Sequence, residues 1–138
     1  MTQPLKLRAR DAEDIQVISA MLQDAIAPVV DMRFDAENRS FVMVVQRLCR
    51  EDDNAPPERI CCAFNLSGVD RAKTHGFNSA ETARMLDLLA VMPEGDDIQL
   101  VFAGDAALRL KLKDWTLIVE DFGDRWPAHG CPCHEDKD

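Results

Sequence analysis

Leu108, Leu110 and Leu112 alternate with Arg109, Lys111 and Lys113, and just beyond them Trp115, Ile118 and Phe122 recur at steps of three and four. Alternation marks a strand with one dry and one wet face, whereas steps of three and four mark a helix stripe. The chain is therefore expected to end as a strand followed by a helix, with Asp114 as the helix cap. The same reading places a helix near the amino terminus. Asp11 is a good N-cap, Glu13 and Asp14 suit the positive end of the helix dipole, and Ile15, Ile18, Leu22, Ala25 and Ile26 form one stripe up to Pro28.

Between the two helices the pattern is one of strands. Val30, Met32 and Phe34 alternate with Asp31 and Arg33, a polar turn covers Asp35 to Arg39, and Phe41 to Cys49 returns as the second arm of a hairpin. That returning arm is apolar on both faces, through Phe41, Met43 and Val45 on one and Val42 and Val44 on the other. One face is expected to meet the core and the other the first helix. Ile60, Cys62, Phe64 and Leu66 make a third strand, Ser67-Gly68 a turn, and Val69 to Phe77 a fourth strand. Leu86, Leu88, Ala90 and Met92 alternate as a fifth, although Ala80, Ala83, Leu86 and Ala90 also fit a helix over Ser79 to Leu89. Ile98, Leu100 and Phe102 pair with Leu108, Leu110 and Leu112 across Ala103 to Ala106, where Gly104 suits the first central position of a type II′ turn.

The expected architecture is an α+β fold that is mainly antiparallel β. Six or seven strands form a barrel or an open sheet, with an N-terminal helix and a C-terminal helix. At 138 residues the chain is one domain that buries a core without disulfides or metal, here assigned to residues 1–126 with a polar tail at 127–138.

The order of elements resembles that of pleckstrin-homology-like barrels, in which a terminal helix plugs one open end. The likeness is one of topology from about Ala27 to Phe122, with Trp115 in the terminal helix as its cue. Short segments carry a second resemblance. They are Asp11-Ala12-Glu13-Asp14, Ile18-Ser19, Leu22-Gln23-Asp24-Ala25, Leu100-Val101-Phe102-Ala103-Gly104, and Trp126-Pro127 with Pro132 and His134. They are similar to a family of short, mostly alphaproteobacterial proteins known as domain of unknown function 2948, which implies no assigned activity.

Charge and chemistry narrow the function classes. Sixteen Lys and Arg against twenty-five Asp and Glu give a formal charge of −9, which repels nucleic-acid phosphates and anionic leaflets. Neither nucleic acid nor membrane is an expected partner. Phosphoinositide-binding barrels of the pleckstrin-homology type commonly use a basic loop between their first two strands. Here that loop is Asp35-Ala36-Glu37-Asn38-Arg39, with a net charge of −1. The amino terminus lacks the apolar core of a signal peptide, and five cysteines, an odd number, fit a reducing compartment with free thiols, so a cytoplasmic location is expected.

Glycine spacing fits neither dinucleotide nor phosphate-binding loops and no serine lies in a nucleophile elbow, so no cofactor and no catalytic residue is assigned. Cys62 shares the apolar face of its strand, while Cys61 points the other way and is expected to be more exposed. His129, Cys131, Cys133 and His134 offer thiolate and imidazole ligands of the kind zinc and copper(I) select, but their tight spacing differs from that of a closed finger. Two basic rows remain, Arg109, Lys111 and Lys113 on one strand and Arg71, Lys73 and His75 on another. Each is a solvated strand face or a positive stripe suited to an acidic protein segment or a small anion. The reading these residues favour is a non-catalytic protein-interaction module. The alternative is a small-anionic-ligand binder or an enzyme with a pocket between the sheet and the first helix.

Overall fold

A computed structural model describes residues 4–49 and 56–128. The elements in chain order are β1 (Lys6–Ala9), α1 (Ala12–Leu22), β2 (Ile26–Pro28), a 3-10 turn (Val29–Asp31), β3 (Arg33–Asp35), β4 (Ser40–Cys49), β5 (Glu58–His75), β6 (Met85–Glu94), β7 (Asp97–Phe102) and β8 (Ala106–Pro127). Neighbouring strands run antiparallel in the order β8-β5-β4-β2-β6-β7, and β7 returns to β8 to close a six-stranded barrel. Outside the ring, β1 adds to β8 and β3 adds to β4.

The α1 helix starts as its sequence requires. The Asp11 carboxylate accepts the Asp14 N–H at 2.9 Å, and Ile15, Ile18 and Leu22 are buried against the barrel. It stops earlier than Pro28. Asp24 takes φ 69, which ends the turn, and its N–H then donates to the Leu88 carbonyl. Ala25 and Ile26 therefore leave the helix, and β2 lies between β4 and β6 as the narrow seam that closes the barrel. The helix packs chiefly on β6, where the Val91 N–H donates to Ser19 Oγ at 2.9 Å. It does not cover the outer face of β4, where Val42 stays exposed.

The C-terminal helix expected from Asp114 does not exist, and the fold is mostly β with one helix rather than α+β with two. β8 continues as strand from Ala106 to Pro127. Leu108, Leu110 and Leu112 face the core as read, but Asp114 adopts φ 51 and the next inward residues are Leu117, Val119 and Asp121. The inward phase thus shifts from even to odd positions. That shift leaves Trp115, Ile118 and Phe122 at helix-like intervals, although Phe122 is 47 % exposed.

The expected turn at Ser67-Gly68 is likewise a bend inside one long strand. β5 runs from Glu58 to His75, with register shifts between Ser67 and Val69 and between Val69 and Arg71. Over Ser79 to Leu89 the strand reading holds from Met85 onward, after turns. A register shift between Leu88 and Ala90 brings Val91 inward and leaves Met92 exposed. The hairpin from β7 to β8 forms as expected, but both Gly104 and Asp105 take positive φ (81 and 59), whereas a type II′ turn needs this only at its first central residue.

Candidate functional site

The barrel turns a corner where β5 and β8 bend together. Gly68 sits there at φ 87, with the position of a Cβ only 2.7 Å from the Lys113 carbonyl oxygen and from Trp115 Cα. Only glycine allows the two backbones to approach so closely. The Gly68 and Val69 N–H groups both donate to the Arg39 carbonyl. The Arg39 side chain donates from Nε to Asp70 Oδ1 at 2.7 Å and from Nη2 to the Lys113 carbonyl at 2.8 Å. The hydrogen bond from Arg39 holds the Asp70 carboxyl below the usual carboxylate range, with smaller contributions from Lys113 and Lys111.

Past this corner both strands turn their charged residues to solvent, and the register brings the two predicted basic rows side by side. Arg71 pairs with Lys111, Lys73 with Arg109, and His75 with Ala107. Lys113 extends the face toward the corner. Like charges placed directly opposite on neighbouring strands are destabilising, so two such pairs in succession are a cost to the fold. Arg109 is partly compensated, donating to Asp97 Oδ2 at 3.2 Å and to Glu94 Oε1 at 3.0 Å. His75 Nε2 lies 3.9 Å from Asp105 Oδ2, with both side chains exposed. Among the described residues, the side chains of Arg71, Lys73, Lys111 and Lys113 have no acidic partner within ion-pair distance.

Two recesses adjoin this face. One is a shallow dish of about 420 Å³ whose walls include Lys73, His75 and Arg109; the small Ala107 and the β7 residues Gln99 and Val101 line it as well. The other is a cleft of about 580 Å³ where the start of α1 meets the β6–β7 turn and β8, the place of the expected pocket between sheet and helix. Its cations Arg10, Lys111 and Lys113 are outnumbered by the carboxylates of Asp11, Asp70, Asp96, Asp97 and Asp114. Three of those carboxylates are already engaged, Asp11 in capping, Asp70 by Arg39 and Asp97 by Arg109.

Inside the barrel lies a polar cluster that pattern reading missed. Arg47 on β4 and Asp121 on β8 form a two-bond ion pair, with Nε to Oδ1 at 3.0 Å and Nη2 to Oδ2 at 2.6 Å. Cys62 on β5 pairs in register with Asp121. Burial, and after it the neighbouring Asp121 charge, pushes the thiol up to about 12. That thiol stays protonated at neutral pH. Cys61 is buried too, contrary to the expected exposure, and it is held in a disulfide, whereas Cys62 is a free thiol. The expectation of uniformly free thiols thus fails at Cys61. The metal candidates His129, Cys131, Cys133 and His134 lie outside the described residues. Among the described residues no group of three or more His, Cys, Asp or Glu side chains is placed to hold a metal ion.

A closed six-stranded antiparallel barrel with added strands and one helix is consistent with the pleckstrin-homology-like class. At the level of sequence, the family model described as Protein of unknown function (DUF2948) matches residues 5–134, and the chain belongs to that family. No curated protein and no solved structure matches the chain. No helix among the described residues is long and apolar enough to cross a membrane.

Proposed function

We propose that the chain is a non-catalytic interaction module that receives an acidic segment of another protein along the paired basic rows of β5 and β8. The observation that carries this reading is the register that sets Arg71 opposite Lys111 and Lys73 opposite Arg109. Such pairing works against stability, and an anionic partner lying between the rows relieves it. The overall charge of −9 does not prevent this at physiological salt. Screening over roughly 8 Å leaves the nearby cations in control of what approaches. An extended acidic chain fits because the cations repeat at every second residue on both strands. The dish around Ala107 favours a second reading, a small anion held by Lys73, His75 and Arg109.

The test is fluorescence anisotropy with a labelled octaglutamate peptide at about 50 and 200 mM salt, set against the triple variant Arg71→Glu/Lys73→Glu/Lys111→Glu. Wild-type binding that weakens with salt and falls at least tenfold in the variant supports the module. Equal binding by the two proteins, or none, refutes it. Sedimentation with anionic vesicles, expected to show no binding, separates a membrane surface from a protein partner.

A further inference from the structure

A third recess, which shares only Thr74 with the dish of the basic face, opens beside the β3–β4 hairpin. It holds about 300 Å³, at the lower end of the range for small-molecule sites, and no residue of α1 lines it. Phe41, Phe77 and Leu108 form buried walls. Two of these walls are fixed by edge-on ring contacts, Phe41 with Phe64 at 6.2 Å and Phe77 with Phe102 at 5.8 Å between centroids. The space is therefore preformed rather than opened by a ligand. At its mouth Phe34 is 39 % exposed on β3, a three-residue strand paired only with β4. An aromatic ring left wet beside an apolar cavity loses stability where it stands, and it gains burial if something fills the cavity.

We infer that this recess is a binding site for a neutral, mostly apolar small molecule with a single hydrogen-bonding end. The class follows from the lining. None of the residues around the recess carries a charge, in a chain of which 30 % of residues are charged. An ion placed there would lose its hydration without gaining a partner. Thr74, Asn78 and Ser79 are the polar residues of the lining, and they set where the hydrogen-bonding end lies. Size follows from volume. An apolar cavity of about 150 Å³ accepts benzene, so this one accepts about twelve non-hydrogen atoms. Met32 at the same mouth, unbranched and polarizable, adapts to the shape of what enters.

The experiment uses 2-naphthol as the probe, a neutral ring compound of fitting size, with 2-naphthoate as its anionic counterpart. Titration of the full chain is followed by ligand-observed saturation-transfer NMR. The variants are Phe34→Ala, at an exposed position whose loss leaves the core intact, and Thr74→Phe, which fills the recess from an exposed strand position. Saturable binding of 2-naphthol is expected, weakened about fivefold or more in each variant, with 2-naphthoate about tenfold weaker in the wild type. Unchanged thermal melting of Phe34→Ala shows that any loss is local to the site. Absence of saturable binding, equal binding in wild type and both variants, or 2-naphthoate binding as tightly as 2-naphthol overturns the proposal. Charge reversal at Arg71, Lys73 and Lys111 is expected to leave 2-naphthol binding unchanged, so this site and the basic face fail or stand separately.

Discussion

Arg47 and Asp121 meet inside the barrel at 2.6 Å, from strands that are not neighbours, with side chains only 1 % and 0 % exposed. The contact reaches from β4 to β8 across β5, the strand between them. Asp121 also brackets the start of the chain. Its Oδ2 accepts the Leu5 N–H at 2.8 Å, and its own N–H donates to the Leu5 carbonyl at 2.8 Å. One carboxylate thus links the ring of the barrel to the segment that leads into β1, the added strand that the sequence pattern did not reveal.

Breaking such a buried pair by removing one partner costs about 3–5 kcal/mol, whereas replacing both by apolar residues is often nearly neutral. Asp121→Ala is therefore expected to lose about that much in urea unfolding. The double variant Arg47→Met/Asp121→Leu is expected to be more stable than Asp121→Ala. A double variant no more stable than the single one shows that the pair is not the source of the loss.

The thiol of Cys62 gives a pH dependence of defined sign. Its ordinary value is about 9, and burial raises it to about 12 in the folded chain. Above pH 9 the unfolded chain releases this proton while the folded chain keeps it, so stability falls by up to about 1.4 kcal/mol per pH unit until the folded thiol also ionises. Well below pH 9 the thiol contributes no slope. Denaturation curves from pH 8 to 11 are expected to fall less steeply in Cys62→Ala than in the wild type. Parallel slopes for the two proteins reject the assignment.

Strand positions were legible wherever one face is dry and the other wet over several residues, as at Leu108 to Lys113. They were misread where backbone geometry resets the phase. Asp114 at φ 51 moves the inward positions from Leu112 to Leu117 and Val119, which imitates a helical step. No local composition shows this, because the bend is imposed by Gly68 on the facing strand. The basic rows were each readable, since every second residue is a cation. Their meeting was not, because the pairing of Arg71 with Lys111 joins residues far apart in sequence through two register shifts. Arg47 and Asp121 escaped notice for the same reason: each looks like an ordinary surface charge until the barrel closes around it.

Gly68 and Gly104 both have positive φ, yet their surroundings differ. A Cβ at Gly68 would lie 2.7 Å from the Lys113 oxygen and from Trp115 Cα, whereas nothing lies within 4 Å of one at Gly104. Gly104→Ala is expected to cost about 1–2 kcal/mol through backbone strain alone. Gly68→Ala adds backbone collisions that the β5–β8 corner cannot relax, so its cost is expected to be clearly larger, with melting several degrees below that of Gly104→Ala. Equal melting temperatures for the two variants would mean that the corner is looser than its geometry indicates.

The paired basic rows make a prediction in which stability and binding move in opposite directions. Arg71 stands opposite Lys111, and neither side chain has an acidic partner within ion-pair distance among the described residues. Arg71→Glu turns a repulsive cross-strand pair into an attractive one, a change of order 0.5–1 kcal/mol on an exposed sheet face. The variant is expected to melt about 2 °C higher than the wild type at low salt. That gain fades at about 1 M salt, where screening acts within roughly 3 Å. The same substitution places a carboxylate in the path of an acidic segment and is expected to weaken octaglutamate binding. A face kept only for solubility has no reason to retain a pair that one substitution improves. Were Arg71→Glu to melt lower than the wild type at low salt, the two cations would not be repelling each other, and the argument from register to an anionic partner would lose its footing.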